Sequence, residues 1–346
     1  MIRVGIAGVG FMGMVHYLSY QKLRGVKVAA LCESNTRRLK GDWRDIRGNF
    51  GPPGQMMDLS GVATYTDIDE MLADESLDMI DVTLPPALHA DVAIKALRAG
   101  KHVFCEKPMA LTVRDCDRMS TAAKQAKKLL FIGHVLPFFP EYAWALKTIQ
   151  SGKFGTLLGG SFRRVISEPT WLANYWNADQ VGGPMLDLHV HDAHFIRLLF
   201  GKPHSVVCRG RMREGLAQFW HSQFDYGPEG PVVSATSGTI DQQGRSFNHG
   251  FEIHLEKATL LFEFAILGDQ GAYLVKPTIL VGGKVQHPEM PDGDPMHAFA
   301  AELQEVLRCA RREERSQILD ASLARDAIVL CHKQSESLCR RCFVRM

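Results

Sequence analysis

Over its first 135 residues the chain alternates short apolar blocks with stretches of helical spacing. The opening block, with Ile2, Val4, Ile6 and Ala7, predicts a buried strand of a parallel sheet. It runs into Gly8-Val-Gly10-Phe11-Met12-Gly13, after which Met14, Val15, Leu18 and Leu23 recur at helical period. A second apolar run over 26–32 ends in Glu33. Residues 36–60 begin helical and finish in the turn-rich Gly51-Pro-Pro-Gly54. A short helix over 67–72 carries acids in its first turn, and a strand over 78–84 is stopped by Pro85-Pro86. A helix over 87–99 closes on Gly100 and is followed by a strand over 102–105, a helix over 112–128 and a strand over 129–134. Strands and helices alternating through short loops predict a doubly wound parallel sheet of Rossmann type over 1–135.

Beyond residue 135 the rhythm changes. A helix over 141–150 leads to a strand over 157–166, an aromatic loop (Trp171-Leu-Ala-Asn-Tyr175-Trp176) and a helix over 184–200. Several stretches between 204 and 282 alternate apolar and polar residues, as strands with one wet face do, and helices near 296–312 and 319–338 end the chain. Residues 136–346 are therefore expected to form an α+β domain on a mainly antiparallel open sheet that binds substrate and joins subunits of a homo-oligomer.

The glycine spacing has a chemical reading. Gly8 permits a tight turn, Gly10 lets the backbone approach a pyrophosphate, and Gly13 lets helix and strand pack closely. The N–H groups opening the helix, from Phe11 and Met12 onward, favour that phosphate. Glu33 stands where a carboxylate binds the adenosine ribose hydroxyls, which favours NAD; Arg37 or Arg38 just after it would tolerate the 2′-phosphate of NADP. Thr83, His89 and Lys107 fall at the carboxyl ends of strands, where such sheets bind ligands.

Composition narrows the classes. At 46% hydrophobic and 23% charged the chain reads as an ordinary globular protein, and 346 residues suggest two domains. A formal net charge of +2 makes no case for nucleic acid or a membrane surface. Apolar runs are strand-sized, the first strand begins at once with no room for a signal peptide, and the scattered cysteines read as reduced thiols, so a cytoplasmic setting is expected. Cys339-x-x-Cys342 lacks two clear further ligands, and no metal is expected there.

Asp187 and His191 are four apart on the helix expected over 184–200, so they share a face that His194 extends. Histidine moves protons near neutral pH, a neighbouring carboxylate holds and tunes it, and Lys107 offers a cation to a substrate hydroxyl. His189 is two residues from His191 and points elsewhere, so a three-histidine metal site with His194 is not expected.

With the glycine loop, Pro85-Pro86-Ala-Leu-His89, the stretch Ala99-Gly-Lys-His-Val-Phe-Cys-Glu106-Lys107-Pro108, and Gly182-Gly-Pro-Met-Leu-Asp187-Leu-His-Val-His191, the chain resembles the Gfo/Idh/MocA oxidoreductases. The resemblance implies an NAD(P)-dependent enzyme that takes a hydride from a secondary hydroxyl of a sugar, cyclitol or related polyol. It places catalysis on Lys107, Asp187 and His191, with His191 accepting the proton, Lys107 polarising the hydroxyl and Asp187 positioning substrate or histidine. Gly8, Gly10, Phe11, Met12, Gly13, Glu33, Arg38, Thr83, His89, Glu106 and Lys107 are the expected cofactor residues, and His134, Trp176 and His194 candidate substrate contacts. Pro108 is expected to be a cis proline that sets the angle of Lys107. Departures from the family pattern are His189 for glycine, His194 for aspartate, Pro86 for asparagine and Pro137 for arginine. His194 is then either an added substrate ligand or a packed helix residue. Two other readings stand beside the dehydrogenase: a glycoside hydrolase that oxidises the sugar transiently, and an idle nucleotide-binding module.

Overall fold

The computed structural model describes residues 1–346 apart from Asn49, Trp171, Ala173 and Asp292. The chain forms two compact units, one of Met1–Phe139 with Gly293–Arg325 and one of Pro140–Asp292 with Asp326–Met346. A single boundary near residue 135 does not anticipate the return of 293–325 to the first unit.

In the first unit, strands β1 (Ile2–Ala7), β2 (Val26–Cys32), β3 (Ala63–Tyr65), β4 (Met79–Val82), β5 (His102–Glu106) and β6 (Leu130–Gly133) make one sheet in the order β3-β2-β1-β4-β5-β6. All its pairings are parallel. The connecting helices are α1 (Phe11–Gln21), α2 (Thr36–Leu39), α3 (Ile68–Leu72), α4 (Pro86–Arg98) and α5 (Val113–Ala126). Strand order reverses beside β1, which puts the glycine loop at the switch point of a doubly wound sheet. Caps fix the helix starts: Asn35, Asp67 and Thr112 each accept a main-chain N–H from the first turn. Leu303, Val306 and Leu307, from a helix near the chain's end, complete the core made by Val4, Ile6, Tyr17, Tyr20 and Leu31. A helix that buries this much apolar surface has to stay with the sheet it covers.

The second unit opens with α6 (Pro140–Gln150), β7 (Leu157–Ser167), α7 (Gly183–Asp187) and α8 (Val190–Phe200). The long strands β8 (Ser205–Arg213), β9 (Leu216–Asp225), β10 (Val232–Ile240), β11 (Phe247–Leu255), β12 (Ala258–Leu267) and β13 (Gln270–Val281) follow, with β14 (Lys284–Gln286). The chain then makes α9 (Pro295–Arg312) of the first unit, α10 (Ala321–Arg340), and β15 (Val344–Arg345). The second sheet has the order β14-β13-β12-β11-β7-β10-β9-β8-β15, antiparallel except where β10 runs parallel to β7. Among the described residues no helix is long and apolar enough to cross a membrane.

One expectation needs correction. The continuous helix over 184–200 is two helices, broken at Leu188–His189, where the N–H of His189 reaches back five residues to the Pro184 carbonyl at 3.0 Å. His189 at the break is held on the sheet, with Nδ1 2.8 Å from Ser237 Oγ and its ring edge-on to Trp220. The four-residue spacing therefore does not put Asp187 and His191 on one helix.

Candidate active site

The glycine loop is built as its spacing demands. Gly8 turns at φ +99°, in the left-handed region that favours glycine, and its N–H donates to the Cys32 carbonyl at 2.8 Å. A Cβ on Gly13 would fall on the Gly8 carbonyl oxygen. The Thr83 hydroxyl donates to that same carbonyl at 2.7 Å, so Thr83 braces the loop from β4's end. Gly10 behaves differently, since a Cβ there would meet nothing within 4 Å among the described residues. The packing of the described residues therefore does not itself require glycine at position 10. Gly10 caps α1 without a side-chain hydrogen bond, and the first turn, with the half-buried Phe11 and Met12, carries no acid to repel a phosphate.

Glu33 leaves β2 and turns to the same loop. Its Oε2 accepts the Val9 N–H at 2.8 Å, and its Oε1 accepts the Asn35 N–H at 2.9 Å and the Ser34 hydroxyl at 3.1 Å. Burial works to raise its pKa, but these donors and the Arg38 charge outweigh it and hold the carboxyl below its ordinary value. Arg38 donates to the Val9 carbonyl at 3.0 Å and, through Nε and Nη2, to Asp45. Arg37 pairs with Asp42 at 2.9 Å. An ionised Glu33 flanked by arginines already held by carboxylates fits a ribose diol better than a 2′-phosphate.

At the end of β5, the Lys107–Pro108 bond is cis, as expected from the sequence. Glu106 Oε2 accepts the N–H of Lys107 at 3.0 Å. His89 is wholly buried, with Nδ1 2.9 Å from the Pro108 carbonyl oxygen and Nε2 2.7 Å from that of Leu84. Burial lowers its pKa although both carbonyls favour the protonated ring. His89 thus lies between the turn after β4 and the turn carrying Lys107, and as a neutral ring it donates to one of the two carbonyls; Lys107 is itself half-buried.

In the second unit Asp187 ends α7 and His191 lies in the first turn of α8, both half-buried. The hydroxyl of buried Tyr175 is pushed well up by burial, with the charges of Asp187 and Glu168 adding to it. His134 and His194 are fully buried. Trp176 donates its indole N–H to Glu168 at 2.7 Å and lies under the Arg213 guanidinium, 4.8 Å from the ring centre. Trp171 lies outside the described residues.

Two buried ionic groups escaped the sequence reading. Arg164 on β7 meets Asp192 on α8 through two nitrogens at 2.6 and 3.2 Å. His16 on α1 meets Asp81 on β4 at 2.9 Å. An acid at the centre of an otherwise apolar parallel strand was the available signal for the second, because such a charge requires a partner.

The comparisons agree with this architecture. Residues 2–134 match the family model for the Gfo/Idh/MocA oxidoreductases, NAD-binding Rossmann fold, and residues 142–261 match the C-terminal domain of the same family. The inositol 2-dehydrogenase of Salmonella paratyphi B is 30% identical over 158 residues, covering 44% of this chain and 43% of its own. A glycosyl hydrolase family 109 protein of Shewanella baltica is 30% identical over 164 residues, covering 46% of this chain and 34% of its own. The chain spans about half the length of the curated relatives it matches. Levoglucosan dehydrogenase, solved in complex with NADH and levoglucosan, shares the fold with a TM-score of 0.80 at 18% identity, over 99% of each chain. The chain is a member of the Gfo/Idh/MocA oxidoreductase family, with an NAD-binding Rossmann domain followed by the family's C-terminal domain.

Proposed function

We propose that this protein is an NAD-dependent dehydrogenase that oxidises a secondary hydroxyl of a sugar, cyclitol or related polyol. The observation that carries the reading is a glycine loop open at Gly10 and bound to an ionised Glu33, in the same unit as the Glu106-Lys107-cis-Pro108 turn. Bound NAD supplies the hydride acceptor. The chain supplies the proton chemistry: the Lys107 ammonium donates to the substrate oxygen and steadies its developing negative charge, and His191 takes the hydroxyl proton. Asp187 orients substrate or the histidine. Similarity to the inositol 2-dehydrogenase supports a polyol substrate.

Similarity to a glycosyl hydrolase family 109 protein favours a second reading, glycoside cleavage with NAD restored in each turnover. Exposed apolar residues on the two strands at one end of the second sheet, Leu274 and Leu280 of β13 and Val285 of β14, support a subunit contact there. His191→Ala tests the mechanism: turnover should fall at least ~100-fold, the usual worth of a general base, while NADH affinity stays near wild type. A variant with undiminished turnover removes His191 from the mechanism.

A further inference from the structure

Behind the Glu106-Lys107 turn, three buried side chains from three elements of the first unit converge: His16 of α1, Glu106 of β5 and Glu302 of α9. One ligand atom from each lies within 4.8 Å of the others. We propose that these three residues bind one divalent transition-metal ion of zinc type, in a site separate from the nucleotide loop. The sequence reading, which weighed only other histidines and cysteines, expects no metal.

The arrangement around His16 is that of a metal ligand. Its Nδ1 lies 2.9 Å from Asp81 Oδ2, which turns Nε2 towards the two glutamates; burial opposes the protonated ring but Asp81 and Glu106 outweigh it, so a metal would take the place of the Nε2 proton. Nε2 stands 3.1 Å from Glu106 Oε1, an ion pair that a shared metal would replace. Glu106 keeps its other oxygen on the Lys107 N–H at 3.0 Å. The independent observation is Glu302, fully buried, whose two oxygens have no hydrogen-bond partner among the described residues. A bare carboxylate out of water is costly unless a cation or a proton satisfies it. Phe104 stacks on His16 at 5.4 Å and Phe299 lies 6.2 Å from it, which keeps the cluster dry. One imidazole and two carboxylates are ligand types zinc accepts, and a carboxylate binding through both oxygens completes the coordination without water. The competing occupant is a proton on Glu302.

Because the cluster is closed, the metal enters as the chain folds. The test is to unfold the full chain in chelator, refold it with Co²⁺, and measure bound cobalt and its visible spectrum after gel filtration. The expected result is one Co²⁺ per chain with tetrahedral or five-coordinate bands, displaced by Zn²⁺. Glu302→Gln and His16→Gln should weaken binding at least ~10-fold, and Asp81→Asn by about 10-fold because the charge that holds His16 Nδ1 is lost. NADH binding by each variant shows that the unit has folded. Wild type without stoichiometric cobalt, or Glu302→Gln that binds as well as wild type, overturns the proposal. So does Glu302→Gln that melts higher than wild type with no metal bound to either, since the cluster then stores a proton.

Discussion

The main-chain N–H of Val9, between the first two glycines of the loop, donates to Glu33 Oε2 at 2.8 Å. The acid that would read the ribose therefore also holds the loop that would receive the pyrophosphate. Glu33→Gln keeps the shape and removes the charge, and NADH affinity should fall about 10-fold, roughly 1.4 kcal/mol, with NADPH affected less. Fluorescence titration of both nucleotides reads this directly. Since the carboxyl is held below its ordinary 4.5, the contribution is present above that value and is lost only as pH falls through the lowered one. Wild-type NADH affinity should then be flat from about pH 8 to about pH 5. A tenfold loss within that range would contradict an ionised Glu33.

Burial holds His189 down to about 4 from 6.5, with Asp192 opposing and Arg164 reinforcing the shift. Between those values the unfolded chain binds a proton that the folded one refuses, so stability falls as pH drops from 6.5 towards 4. The loss amounts to roughly 3 kcal/mol at most for this group. Urea melts at several pH values should show it, and His189→Asn should flatten that part of the profile. An equally steep variant would assign the acid sensitivity to other groups.

Arg164 and Asp192 form a fully buried pair between β7 and α8. Removing one partner strands the other charge, and Asp192→Ala should cost about 3–5 kcal/mol in denaturant unfolding. A loss under about 1 kcal/mol would place the pair in the range of exposed ion pairs.

If the second sheet joins subunits, light scattering should give at least twice the chain mass of 38.6 kDa. Leu274→Asp with Val285→Asp should lower it. A monomeric wild type would leave that apolar edge without the role proposed for it.

Local rules were enough for the first unit. Glycine spacing, proline stops and caps act within a few residues, so the strands around Gly8, Glu33 and Lys107 and even the cis bond at Pro108 were legible. Long-range contacts were not. The return of α9 to the first core depends on Leu303 and Leu307 meeting Tyr17 and Tyr20, nearly 300 residues away in the chain. Helical periodicity runs unbroken through 184–200, and the break falls where His189 meets Ser237 on a strand distant in sequence. His89 and Thr83 were expected at the cofactor; what the fold shows is their polar atoms at the Leu84 and Pro108 turns and at the glycine loop, contacts that no local rule foretells.

The most direct test of the central claim is the yield of NADH per substrate consumed, measured for wild type and Lys107→Ala with a panel of cyclitols, sugars and glycosides. The dehydrogenase reading predicts one NADH per substrate oxidised and a loss of turnover of about 100-fold or more in the variant at saturating NAD. Substrate consumed without NADH accumulating would contradict it in favour of glycoside cleavage. Nucleotide binding with no turnover on any substrate would leave a module that holds NAD without using it.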